Sequence, residues 1–199
     1  YDELPAVSRK APAEPPEEYR AYRIVDEADV ASMASFGSGY RWHVSGLVHD
    51  ETGFPKGMPA ATRASQDHLY QKLADHLDDI VTAERYRLDD AELAIVAFGG
   101  AARTAYDAVD MARSQGIRAG LLRPITIWPF AEKEITALLE KVRGILVHEL
   151  NCGQYVLEVE RTVAGRTPVE LYAKYDNESA TPEEMMAVIK NMWERVGQS

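Results

Sequence analysis

A chain of 199 residues with a formal net charge of −10 is long enough for one well-buried core, or for one domain plus an ordered arm. The acidic balance argues against a phosphate backbone or an anionic membrane surface as partner, and no stretch approaches the about 20 apolar residues that cross a bilayer. The single cysteine, Cys152, excludes an internal disulfide, suggests a reducing compartment, and cannot hold a cysteine-ligated iron–sulfur cluster, which needs about four thiolates.

The chain opens at Tyr1, without an initiator Met, and reads as a fragment of a longer polypeptide; a trimmed or processed product is the other reading. No secretory signal pattern is visible, so a cytoplasmic location is expected. Residues 1–60 are expected to form an extended arm. Pro5, Pro12, Pro15, Pro16, Pro55 and Pro59 interrupt regular elements, and the Pro- and Glu-rich start offers little to bury. Between them, Tyr40 to Leu47 (YRWHVSGL) reads as an extended segment. Its aromatic side chains are expected to lie on another surface, because the arm looks too short for its own core. His43, His49, Asp50 and Glu51 group within HVSGLVHDETG. Two imidazoles and two carboxylates could hold a metal, but the spacing fits no zinc pattern, and a solvated turn at Asp50–Gly53 is the better reading.

Residues 61–90 read as a connector, one long helix over 62–88. Leu69, Leu73, Leu77 and Ile80 make a narrow apolar stripe, with Asp67, Lys72, Asp75 and Asp78 off it. His68 and His76 stand eight apart, too far along one axis to share a metal.

Residues 91–199 alternate strand and helix. Strands are expected at Leu93–Phe98, Gly120–Ile125, Ile145–Leu150 and Val169–Tyr172, with helices starting near Gly100, Glu132 and Gly153. In the first helix Ala102, Ala105, Val109 and Ala112 recur at helical spacing, and Gly116 ends it. The last helix has Thr181 as N-cap, Pro182 in the first turn and Glu184 closing a capping box. Met185, Ile189, Met192 and Val196 form its stripe. The order is that of an α/β fold, a mostly parallel sheet with helices on both faces, preceded by the arm and the long helix. If Trp128 is buried beneath the Pro124–Pro129 turn, its replacement by Ala should cost about 3–5 kcal/mol; a loss under about 1 kcal/mol would place it at an exposed interface.

Ligands of open α/β sheets gather beyond the carboxyl ends of the strands. Gly99-Gly100 could cradle a phosphate at a helix start, but GxGxxG is absent. Leu122-Arg123 stands where a dinucleotide fingerprint wants an acid, so a tight turn is the plainer reading. Asn151-Cys152-Gly153-Gln154 follows the third of these strands and opens a helix, with Asn151 as the expected N-cap. Strand alternation would put His148 and Cys152 on one face, a weak sign of thiol chemistry. P-loop, GxSxG, HExxH and a thiamine-diphosphate motif of the GDG-plus-Asn kind are all missing. The residues alone describe an α/β domain without a self-contained active site.

Three successive segments carry a resemblance. VAFGGAARTAYDAV, GIRAGLLRPITIWPF and ILVHELNCGQYVLEVER, in this order and spacing, resemble the C-terminal, transketolase-C-terminal-like domain of the alpha subunit of 2-oxoacid:ferredoxin oxidoreductases. YRWHVSGLVHDETGFP resembles the stretch that precedes that domain. The landmarks look closest to the 2-oxoglutarate and branched-chain types. The resemblance implies a complex that uses thiamine diphosphate, magnesium, an iron–sulfur cluster and coenzyme A, none of them bound by this chain alone. It implies the beta subunit and a second alpha subunit as partners, ferredoxin indirectly, and neither nucleic acid nor membrane. The chain would then be a scaffold that completes a subunit interface and borders the active-site entrance, with no catalytic residue of its own. By position, Arg123, Asn151 and Gln154 are the expected polar contacts to coenzyme A or a partner subunit; for Arg123 a structural ion pair is the other reading. Two further classes stay open: a free-standing transketolase-C-like docking module, and a nucleotide-binding domain at Gly99-Gly100.

Overall fold

The computed structural model describes residues 8–25 and 30–197; Pro5 lies outside the described residues. The chain divides into two units, Tyr1–Leu77 and Asp78–Ser199.

In the first unit aromatic side chains supply the core. Tyr19, Ala21 and Ala34 are buried, with Tyr22, Tyr40 and Trp42 packed against them. The Tyr19 and Tyr40 rings meet edge-on at 5.1 Å. The Tyr19 hydroxyl donates to the Ser32 carbonyl (2.9 Å) and the Tyr40 hydroxyl to the Glu14 carbonyl (2.8 Å). The expectation that these aromatics need another surface is therefore corrected. The segment around Tyr40 returns onto residues 14–22, so edge-to-face ring pairs do locally what a hydrophobic sheet does elsewhere.

Helix α1 (Pro59–Ala74) follows, with no buried residue along it, then one short turn of helix, α2 (Leu77–Ile80). The single helix expected over 62–88 is thus corrected: it ends at Ala74, and Ala83–Tyr86 is a strand, β1. Asp75, Asp78 and Asp79 crowd the helix end, where carboxylates oppose the macrodipole. Sheet pairing then overrides the helical propensity of Glu84 and Arg85. Leu69 and Leu77 of the expected stripe are 45% and 41% exposed.

The second unit continues with β2 (Leu93–Ala97), α3 (Ala101–Ser114), β3 (Ala119–Pro124), α4 (Glu132–Leu138), β4 (Gly144–Glu149), α5 (Tyr155–Val163), β5 (Val169–Ala173) and α6 (Pro182–Val196). The strands lie in the order β1-β3-β2-β4-β5. β1 is antiparallel to β3, and the other pairs are parallel. Alternate residues of the central strand serve opposite faces. Leu93, Ile95 and Ala97 face the side covered by Ala105 and Val109 of α3 and by Met185, Ile189 and Met192 of α6. Ala94 and Val96 face Ile135 of α4 and Val156 and Val159 of α5. With both faces covered, β2 is buried along its whole length, which is why its sequence is a continuous apolar run. The capping box of α6 forms as the sequence predicts: Thr181 Oγ1 accepts from the Glu184 amide (3.2 Å), and Thr181 N–H donates to the Glu184 carboxylate (3.0 Å). Among the described residues no helix is long and apolar enough to cross a membrane.

Candidate functional site

From β2 the chain moves to β3 on one side and later to β4 on the other. That reversal makes the carboxyl ends of β2 and β4 the topological switch point of the sheet, the position where open α/β sheets take ligands. Gly99-Gly100 leads from β2 into α3 on one face, and Leu150–Gln154 leads from β4 into α5 on the other. Gly99 has φ 55°. Gly100 holds the N-cap position of α3 without a side-chain cap.

The loop after β4 is fixed from beneath by Glu149, the last residue of the strand. Glu149 is fully buried. Its Oε2 accepts from the Tyr155 amide (2.9 Å) and its Oε1 from the Val156 amide (3.0 Å). These are first-turn amides of α5, where a carboxylate also meets the positive end of the helix dipole. The expected N-cap role of Asn151 is corrected accordingly. The cap position is Gln154, with no side-chain cap bond. Asn151 Oδ1 instead closes the loop on itself, accepting from the Gly153 (2.8 Å) and Gln154 (3.0 Å) amides. Gly153 has φ 98°, a conformation that favours glycine, and a Cβ there would lie 2.6 Å from Leu171 Cδ2, displacing the end of that side chain.

Under the rim, aromatic side chains from three loops meet. Phe98 after β2 and Phe130 after β3 each lie 5.0 Å from the Tyr155 ring. The Tyr155 hydroxyl is buried without a hydrogen-bond partner. Burial, with Glu149 nearby, pushes its ionisation well above the ordinary phenol range.

Gln154 and Asn151 thus share one loop at the switch point, with Gln154 exposed and Asn151 half-buried. Arg123 is elsewhere. It sits on β3 opposite Glu84 of β1 and pairs with it at 3.2 Å. The whole of β2 separates it from the β4 loop, about 10 Å at two strand spacings. Its plainer reading, a structural ion pair, matches this placement. His148 and Cys152 are not brought together as expected. His148 is fully buried, its Nδ1–H donates to the Tyr172 carbonyl (2.8 Å), and burial holds its pKa below the ordinary value. Cys152 is exposed; it lies past the strand end, where alternation no longer applies.

Trp128 is 68% exposed, the second of the two readings its sequence position allowed, and Ile125, Ile127 and Leu150 are exposed as well. The tight Trp128–Pro129 link is a cis peptide. In the first unit, Asp50 accepts from both the Thr52 amide (2.9 Å) and the Thr52 hydroxyl and pairs with Lys56 at 2.9 Å. These partners hold its carboxyl far below the usual carboxylate range. Glu51 pairs with Arg23 at 3.5 Å, His49 donates to the Asp50 carbonyl, and His43 stacks on Phe54 at 4.6 Å. The cluster is a salt-bridged turn, as its composition suggested. Among the described residues no group of three or more His, Cys, Asp or Glu side chains could hold a metal ion.

Residues 91–185 match the family described as pyruvate:ferredoxin oxidoreductase core domain II. The chain is 38% identical over 192 residues to 2-oxoglutarate synthase subunit KorA of Methanothermobacter marburgensis, covering 96% of this chain and 51% of that relative. It spans about half the length of the curated 2-oxoglutarate synthase subunits it matches. Among solved structures, 2-oxoglutarate:ferredoxin oxidoreductase from Magnetococcus marinus, with 2-oxoglutarate, coenzyme A and succinyl-CoA bound, superposes with a TM-score of 0.77 over 96% of this chain and 33% of that one, at 19% identity. A split-gene transketolase, in an inactive tetrameric form, matches with a TM-score of 0.50 over 57% of this chain and 41% of its own, at 16% identity. These two likenesses establish the transketolase-like α/β fold. The sequence similarity thus extends the resemblance of the three landmark segments, which fall on β2–α3, β3 and β4–α5, to 2-oxoglutarate synthase subunits over almost the whole of this chain.

Proposed function

We propose that the chain is the C-terminal part of the alpha subunit of a thiamine-diphosphate-dependent oxidoreductase acting on 2-oxoglutarate. The whole enzyme would join the succinyl group of 2-oxoglutarate to coenzyme A, release CO2 and a proton, and pass two electrons to ferredoxin. The observation that carries this reading is the similarity to a 2-oxoglutarate synthase subunit across 96% of this chain. Thiamine diphosphate, where bound, supplies the electron sink for decarboxylation. The residues described here do not fit a magnesium–diphosphate site or an iron–sulfur cluster. One exposed thiol and, among the described residues, no group of three or more metal-ligating side chains leave those ligands to other parts of the assembly.

In this reading residues 91–199 carry the transketolase-C-like domain, joined by β1 from the 61–90 connector, and 1–60 are its arm. The domain completes an interface with the beta subunit and a second alpha subunit, and ferredoxin is reached through the beta subunit. Asn151 and Gln154 make polar contacts at the rim, to coenzyme A or to the partner. Arg123 joins them only if it leaves Glu84. The exposed Trp128 supports the reading, because tryptophan is enriched at the buried core of protein interfaces. The test is a substrate panel on the native complex purified through a tag on this chain. Coenzyme A-dependent viologen reduction should be fastest, per kcat/KM, with 2-oxoglutarate rather than 2-oxoisovalerate or pyruvate. No reduction with any 2-oxoacid would overturn the reading.

A further inference from the structure

We propose that Glu149 is a positioning residue of the rim, which holds Asn151 and Gln154 in place through the backbone of α5; this rests on the function proposed above. Three observations converge on it. Glu149 is fully buried, although burying a carboxylate costs several kcal/mol unless it is well bonded. Each of its oxygens takes a different first-turn amide of α5, and its carbonyl accepts from the Lys174 amide at 3.0 Å. One residue therefore joins the end of β4, the start of α5 and the segment after β5.

An ordinary helix start is capped more simply, by a Ser, Asp or Asn in the loop itself. Here the capping carboxylate comes from within the strand, below the loop. The consequence is that Gln154, at the cap position, has no capping bond to make and is exposed. The loop between Glu149 and Tyr155 is five residues long. It is closed internally by Asn151 and seated on Leu171 at Gly153. A loop so short moves as one body, so the two amide side chains at the switch point go where Glu149 puts the helix start. The helix dipole is also already answered by an internal anion, so the rim acts by hydrogen bonding and not by drawing a phosphate to α5.

The test uses the native complex and three variants: Glu149→Gln, which keeps the length but replaces one accepting oxygen by a donor; Glu149→Asp, a carboxylate one methylene shorter; and Gln154→Ala, which removes an exposed amide. A positioning role predicts that Glu149→Gln raises KM for 2-oxoglutarate or coenzyme A about tenfold, within the about 100-fold that a 1 Å misplacement can cause. The kcat should stay within about twofold. Gln154→Ala should raise the same KM, and amide exchange at Tyr155 and Val156 should quicken in Glu149→Gln. Faster exchange with both KM values unchanged would overturn the proposal and leave Glu149 a cap alone. If Glu149→Gln fails to assemble, Glu149→Asp decides: a raised KM supports the proposal, an unchanged one refutes it. A wild-type complex with no 2-oxoacid-dependent turnover would refute the proposed function itself, and this assignment with it.

Discussion

Replacing Tyr155 by Phe should stabilise the chain. Tyr155 is 5% exposed, its ring lies 5.0 Å from both Phe98 and Phe130, and its hydroxyl has no partner. The ring contributes through packing, whereas the hydroxyl forfeits its bonds to water. Leaving such a group buried and unpaired costs about 1–3 kcal/mol. Tyr155→Phe removes that cost and keeps the aromatic contacts, so a gain of about 1 kcal/mol is expected. Tyr155→Ala removes the ring as well and should cost about 3–5 kcal/mol, the range for a large aromatic side chain in a core. Urea unfolding followed by near-ultraviolet circular dichroism would read both, with the m-value checked for constancy. A loss of about 0.5 kcal/mol or more in Tyr155→Phe would show that the hydroxyl is bonded, through water or another group, and would refute the reasoning.

Three further outcomes are expected. Thr181→Ala should cost about 1 kcal/mol in urea unfolding, the usual value of an N-cap side chain, and Thr181→Ser should recover most of it. His148 has its folded pKa lowered by burial, so the unfolded state binds its proton more readily. Stability should therefore be lost as pH falls below about 6.5, by at most about 1.4 kcal/mol per unit from this residue; His148→Gln should flatten that slope, and an unchanged slope would place the titration elsewhere. Trp128→Ala, at an exposed side chain, should cost under about 1 kcal/mol in the isolated chain; a loss of several kcal/mol would mean the ring is covered.

The parts legible in sequence are those governed by local periodicity. The β2–α3–β3 unit announced itself through a buried apolar run, an alanine stripe and two glycine stops. The α6 cap was readable because a capping box spans only four residues. What escaped depended on groups distant in sequence. Glu149 stands six and seven residues before the two amides it binds, so local cap rules pointed to Asn151 instead; an acid closing a buried strand was the available signal. The strand at Ala83–Tyr86 exists because β3 offers an edge, and nothing in AERY says so. Whether Trp128 is buried or exposed could not be read from its neighbours, because that depends on how the chain after β3 lies against the fold; it is exposed. Of the three candidate contacts, spacing placed Asn151 and Gln154 in one loop, but it could not reveal that Glu84 already engages Arg123.

The most direct test of the central claim, that this chain works as one part of a larger oxidoreductase, is to purify it from its native host through a tag and quantify what comes with it. The account predicts a co-purifying cysteine-rich subunit together with thiamine diphosphate and iron in fixed proportion to this chain. Recovery of the chain with neither cofactor, alone or bound to a partner without iron, would contradict it and favour a docking module.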